Sequence, residues 1–266
     1  MTVRRDTRGS DNRFEPGLFT PDPSPSSPAA MVMSQSMLEL TLLLRNGEQL
    51  LLTMFIPITL LVGLTLLPLG TMGDDPVNQV VPAVMMVAVM STAFTGQAIA
   101  VGFDRRYGAL KRLGATPLPK WGIIAGKSIA VMMVVILQSV VLGSIGIVLG
   151  WRPDATGLLA GALVIALGTV TFATMGLLLG GTLRAEIVLA LANILWFVML
   201  GIGSLVVLSD DLPTALHTIA RLVPSGALAE ALGQAVVGSW DWFGVAVLAG
   251  WAVVCGWIAV RTFKFV

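Results

Sequence analysis

The sequence predicts an all-α integral membrane protein with six transmembrane helices. An N-terminal interfacial helix precedes them, broken re-entrant helices precede the last span, and both termini are cytoplasmic. Three observations carry this expectation: composition, six apolar runs of similar length, and the placement of basic residues. Hydrophobic residues make up 56% of the 266 positions and charged residues 12%, whereas soluble domains are about a quarter charged. A soluble fold of this size has too little interior for so much apolar surface, so the excess must face lipid or other protein.

The apolar runs cover 50–69, 80–103, 129–149, 158–179, 187–208 and 242–260. Each is near the roughly 20 residues that an α-helix needs to cross about 30 Å of hydrocarbon. Backbone polar groups in lipid must be satisfied within the segment, so these runs are expected to be helical. The second is expected to begin just after Pro82, since proline is tolerated in a first helical turn. Fourteen basic residues fall before the first run, in the 104–127 and 184 connections and at the C-terminus. Only Arg152 and Arg221 fall on the other side. Basic residues stay on the cytoplasmic side, which fixes the expected orientation. Asp74, Asp75, Asp154, Asp210, Asp211 and Glu230 then lie outside, with Trp240 and Asp241 at the outer interface.

Residues 1–35 are expected to form a disordered cytoplasmic tail, polar and rich in Pro and Ser around Pro21–Pro28. They lack the apolar core of a signal peptide. A transmembrane domain spans 36–266. It opens with a helix over 36–49 in which Leu40, Leu43 and Leu44 keep helical spacing while Glu39, Arg45 and Glu48 interrupt the apolar run. That segment is too short and too charged to span, and suits the cytoplasmic interface. Gly47 is expected to break it. The 209–239 segment is too apolar for an exposed loop and too interrupted by Pro213 and Pro224 to span. A pair of short helices dipping into the outer leaflet fits it, provided that protein or water covers the irregular backbone.

Several chemistries find no foothold. A net charge of +1 gives no sign of a nucleic-acid partner. Cys255 is the single cysteine and His217 the single histidine, so neither an internal disulfide nor a multi-histidine metal centre is available. Gly122–Ser128 nearly spells a phosphate loop but has three residues between its glycines where four are needed. Lys127 is therefore read as an interfacial residue that snorkels toward water. No catalytic motif is visible, and no metal or cofactor is expected on the chain itself. Acidic or basic residues are missing from span centres, which argues against an ion-coupled transporter. Thr59, Gln97 and Asn193 stand out among the few polar groups inside the spans and are candidates for a substrate path. Asn193 suits an interhelical hydrogen bond better than a substrate contact, because such bonds are common in bundles. The pairs Gly122/Gly126, Gly146/Gly150, Gly157/Gly161 and Gly176/Gly180 suit close helix packing.

The most informative stretch is 103–121, reading FDRRYGALKRLGATPLPKW. It is basic and lies between spans two and three. Leu110 and Leu113 punctuate the charges, Gly114 suits a helix cap, and Pro117 and Pro119 would stop the helix. By itself this is either a docking element or a loop that merely fixes orientation. Its RRYGALKRLGATPL run resembles the cytoplasmic signature of ABC-2 type permeases, the membrane subunits of ATP-binding cassette exporters of the daunorubicin-resistance kind. Arg45-Asn46 and the apolar run through Ile56-Pro57 resemble that family's interfacial helix and first span. Leu212-Pro213 through Leu232 resembles its broken region before the last span. One departure is that Asp104 stands where the family often has Glu.

The resemblance implies a permease subunit that exports a hydrophobic or amphipathic substrate (drug, antibiotic or lipid) across the inner or plasma membrane. It implies as partners two copies of a separate ATPase subunit, which holds the ATP and magnesium, and a second permease copy or a homologous permease. The coupling loop, 104–120, would contact the ATPase through Asp104, Arg105, Arg106, Gly108, Leu110, Lys111, Arg112 and Gly114. Glu39 and Arg45 of the interfacial helix would assist, and spans one, two and five would line the path. The alternatives are an ion-coupled secondary transporter and a non-transport membrane scaffold.

Overall fold

The computed structural model describes residues 26–67, 76–208 and 213–263, and every regular element among them is helical. Asp74, Asp75, Asp210, Asp211, Lys264 and most of the expected tail lie outside the described residues. Helix α1 covers Pro28–Arg45 and α2 covers Gly47–Leu66. The start of α1 corrects the expected tail boundary by eight residues. Ser27 accepts a hydrogen bond from the Ala30 amide at 3.3 Å and Pro28 occupies the first helical position. That is an N-cap followed by a site where proline costs no hydrogen bond. The break expected at Gly47 falls at Asn46 instead, and α2 follows at once.

Next come α3 (Pro76–Val89), a π-helical turn (Met90–Gly96) and α4 (Gln97–Arg106), stacked into one continuous helix. Its start at Pro76 corrects the expected one, and Pro82 lies in its interior. After the short α5 (Ala109–Leu113) come α6 (Lys120–Val148), α7 (Ala155–Thr182) and α8 (Ala185–Leu208). Two short helices, α9 (Thr214–Leu222) and α10 (Pro224–Val236), precede α11 (Trp242–Thr262). Pro76–Arg106, Lys120–Val148, Ala155–Thr182, Ala185–Val207 and Trp242–Thr262 are long and apolar enough to cross a bilayer, and Thr53–Leu66 is a shorter apolar helix.

Helix α7 is the hub, packed against α11, α4, α10 and the π turn. Small residues let it approach. A Cβ on Gly176 would stand 2.7 Å from the Phe94 carbonyl oxygen and 3.0 Å from that of Ala93. Helix α6 begins nine residues before its expected start, and the Gly122/Gly126 pair, which suits close helix packing, forms a seam with α1 there. A Cβ on Gly126 would stand 2.7 Å from Gln35 Cγ, and one on Gly122 would meet Val32 Cγ2 at 3.4 Å. The near phosphate-loop sequence is therefore wholly helical, and its amides serve the helix.

The ends of the bundle are distinguishable. At one, hereafter the Arg105 end, lie α1, α5 and the α7–α8 connection. At the other, the Trp151 end, lie the α6–α7 connection and the short helices. There α10 is buried against α7, α8, α3 and α11 through Ala227, Leu228, Ala231 and Leu232. Trp251 Nε1 donates to the Leu222 carbonyl at 3.0 Å and pins α9 to α11. Asp241, expected at an interface, is buried and paired with Arg221 at 2.5 Å.

Asp154 caps α7 at this end, accepting from the Thr156 hydroxyl at 2.6 Å and the Gly157 amide at 2.6 Å. These bonds, the hydroxyl first, hold its carboxyl below the usual carboxylate range. Because the folded value is the lower one, the cap stabilises fully above the unfolded carboxylate pKa and is lost as pH falls through the folded value. Asp154→Ala should lower the melting temperature at neutral pH. The gap from the native chain should close in acid, as a pair of thermal melts across pH would read.

Candidate functional site

Two features at the Arg105 end carry chemistry: a buried charge cluster and a largely apolar cleft with a few polar groups on its wall. The cluster centres on Lys127, which stands two turns into α6 with a side chain only 3% exposed. The expected snorkelling residue is thus enclosed. Its Nζ lies 2.8 Å from Glu39 Oε1 on α1 and 2.7 Å from Asp104 Oδ2 on α4. Gln35 Nε2 also donates to Glu39 Oε1 at 2.7 Å. One ammonium therefore ties three helices together, and a charge removed from water needs such pairing to be tolerated.

The other residues of the expected coupling set divide by direction. Arg105 reaches across to α7, where its Nη1 donates to the Gly181 carbonyl at 2.9 Å and its Nη2 to that of Leu183. A guanidinium placed there satisfies carbonyls that the helix end leaves open and complements the negative end of its dipole. Arg106 pairs with Glu186 of α8 at 2.6 Å, with both side chains largely exposed. Neither arginine is a free docking charge.

Helix α5 is a small platform. Gly108 starts it at φ 72°, a left-handed conformation that glycine adopts without a Cβ penalty. Leu110 is completely buried against Val101, Ile123, Leu177 and Phe263. Lys111 and Arg112 are exposed, as are Tyr107 and Gly114. The platform is thus bolted by one leucine and presents its two basic residues outward. Arg45 is also exposed at the end of α1.

The cleft, about 940 Å³ in volume, is walled by α1, α2, the π turn with α4, and α8. From Ser91 to Asp104 it follows the α4 stack for about 20 Å at 1.5 Å per residue. Glu39 and Asp104 stand at one end, while Ile56, Ile99, Leu189 and Phe197 supply apolar wall. Asn193 lines the cleft, its Nδ2 donating to the Leu189 carbonyl at 2.7 Å. Gln97 is buried behind it, and Thr59 is exposed on α2 away from it. Of the three path candidates only Asn193 reaches the cavity.

Sequence reading missed the π turn and two cleft residues, Thr95 within it and Trp196 on α8. Ser91, Thr95 and Gly96 of the turn line the cavity. Thr95 Oγ1 and Trp196 Nε1, both on the wall, are shielded and without hydrogen-bond partners among the described residues. Single π turns inside α-helices recur at functional sites because they re-aim side chains and free backbone groups. Behind the cleft, buried Gln138 of α6 joins three elements. It accepts from the Thr92 hydroxyl at 2.9 Å and donates to the Thr53 carbonyl at 3.0 Å.

A helical bundle with several membrane-length apolar helices, a cleft along their length and a structured basic end defines a multi-pass membrane protein. The family model for the ABC-2 family transporter protein matches residues 62–261, most of the chain from the last turns of α2 to the end of α11. The chain belongs to the ABC-2 transporter family, whose members are membrane subunits that in general work with an ATP-binding cassette ATPase. No curated protein matches it significantly.

Proposed function

We propose that the chain is the permease subunit of an ATP-binding cassette exporter, moving a hydrophobic or amphipathic molecule out of the cytoplasm or inner leaflet. In this reading α2 is the first of six spans, both termini are cytoplasmic and the membrane is the inner or plasma membrane. The power comes from two copies of a separate ATPase subunit holding ATP and magnesium. A second permease copy or a homologous permease completes the path.

The observation that best supports this reading is the form of the Arg105 end. Helix α5 is anchored by Leu110 and presents Lys111 and Arg112 outward. Beside it, Lys127 links α1 to α6 and α4. A push delivered to α1 or α5 would reach the helices walling the cleft through packed contacts and buried ion pairs. The cleft suits the cargo proposed, being apolar with a few polar groups able to orient a bound molecule.

The Lys111→Glu, Arg112→Glu double variant tests the docking surface. Both sites are exposed, so the fold and its melting temperature should be unchanged. Co-purification of the ATPase should weaken about tenfold or more, because reversing two charges converts attraction to repulsion. Vanadate-sensitive export should be lost with it. Retention of the ATPase by a variant that is folded would reject this surface as the dock.

A further inference from the structure

A second cavity lies at the Trp151 end and shares no lining residue with the cleft. It holds about 520 Å³, within the range of about 300–1,000 Å³ typical of small-molecule sites. Helices α3, α6, α7 and α10 wall it. Along α6 it runs from Met132 to Ile147, about 22 Å at 1.5 Å per residue. That is longer than one leaflet of a bilayer whose hydrocarbon core is about 30 Å thick. Gly143 and Gly161 leave its floor without side chains, while Ile136, Val140 and Leu158 stand exposed at its rim. The shape is a narrow apolar trough, open along one side.

The trough ends beside Trp151 and Arg152. Trp151 lines it and is 5% exposed, yet its Nε1 has no hydrogen-bond partner among the described residues. An unpaired indole N–H that is shielded from water is costly unless something supplies an acceptor. The next residue, Arg152, donates through Nη1 to the carbonyls of Ile147, at 2.7 Å, and Trp151, at 3.0 Å. This fixes the exposed guanidinium at the trough's end and leaves Nη2 and Nε for an outside anion. The nearby carboxylate, Asp154, is turned into the α7 cap, both oxygens occupied by Thr156 and Gly157.

We propose that this trough is a binding site for a single bilayer phospholipid: one acyl chain lies along α6 and α7, an ester carbonyl accepts from Trp151 Nε1, and the phosphate sits on Arg152. The chemistry needed is an apolar chain, a neutral acceptor and an anion in that order from bilayer interior to surface. A glycerophospholipid carries them in that order. The proposal requires only that α6 and α7 span the membrane, and stands apart from the transport reading and its cleft.

Gly161 provides a test that spares the fold, since a Cβ there meets nothing within 4 Å. Delipidated chain would be titrated with dioleoyl phosphatidylglycerol and, separately, dioleoylglycerol, with bound lipid counted by native mass spectrometry. The native chain should bind one tight equivalent of phosphatidylglycerol. Gly161→Leu, which fills the trough, should weaken that equivalent at least about tenfold without shifting the melting temperature downward. Arg152→Gln should keep the diacylglycerol affinity and lose about fivefold for phosphatidylglycerol, the worth of one basic side chain near an anionic headgroup. Unchanged binding by Gly161→Leu would overturn the site. An equal loss of both lipids in Arg152→Gln would overturn the headgroup assignment.

Discussion

Lys127→Met should free α1 from the bundle and lower stability by about 3 kcal/mol, the lower end for breaking a buried ion pair. The lower end applies because Asp104 keeps 36% of its side chain exposed while Glu39 keeps 13%. Methionine matches the aliphatic stem and preserves the packing beside Gln35 and Gly126, so the loss reports the charge. What remains is a pair of carboxylates at an enclosed site with no cation between them. Adding Glu39→Gln and Asp104→Asn to Lys127→Met should recover much of the loss, since an uncharged trio leaves no ion stranded. Hydrogen exchange resolves the effect: amides of α1 from Gln35 to Arg45 should lose protection first, while α7 keeps its own. Uniform loss of protection across the chain, or no loss at all, would show that Lys127 does not staple α1.

That staple also marks where sequence reading stopped. The apolar helices were legible because membrane length and backbone satisfaction leave few choices, and the two short helices before α11 were legible from their prolines. Helix ends were less so. Lys120–Lys127 reads as loop by its charge, yet it is helix, because its glycines seat α1 and its lysine finds two carboxylates. Glu39 is 88 residues away in the chain from Lys127, and no local pattern reports that contact. Arg105 and Arg106 read alike in sequence. In three dimensions one caps α7 and the other pairs on the surface with Glu186.

The cleft was partly legible. Asn193 was visible as a polar residue in an apolar run, whereas Thr95 and Trp196 were not distinguishable from ordinary packing residues. Thr59 had the same polar signature as Asn193 but faces away from the cavity. The spacing of polar residues fixes a helical face only while the helix is regular. A π turn shifts the register of everything after it, and Met90–Gly96 does so in the middle of the most buried helix.

The second large effect is expected where that turn meets α7. Gly176→Leu places a Cβ 2.7 Å from the Phe94 carbonyl oxygen and 3.0 Å from that of Ala93. Both obstacles are backbone, so no side chain can swing aside. Relief requires α7 to move away from the π turn, and overpacking of this kind costs roughly 1–3 kcal/mol, occasionally more. A value near the top, about 3 kcal/mol, is expected because the contact lies at the hub of the bundle. Gly63→Ala provides the contrast. Its Cβ meets nothing within 4 Å, and alanine favours a helix over glycine by about 1 kcal/mol. Thermal melts in one detergent should therefore move in opposite directions for the two variants. Gly176→Leu should also impair export even when enough protein survives to measure it, because displacing the π turn moves Thr95 on the cleft wall. Gly176→Ala adds the same Cβ with less bulk and should fall between native and leucine. If all three Gly176 forms melt together, α7 and the π turn are not in the tight contact on which this account of the cleft depends.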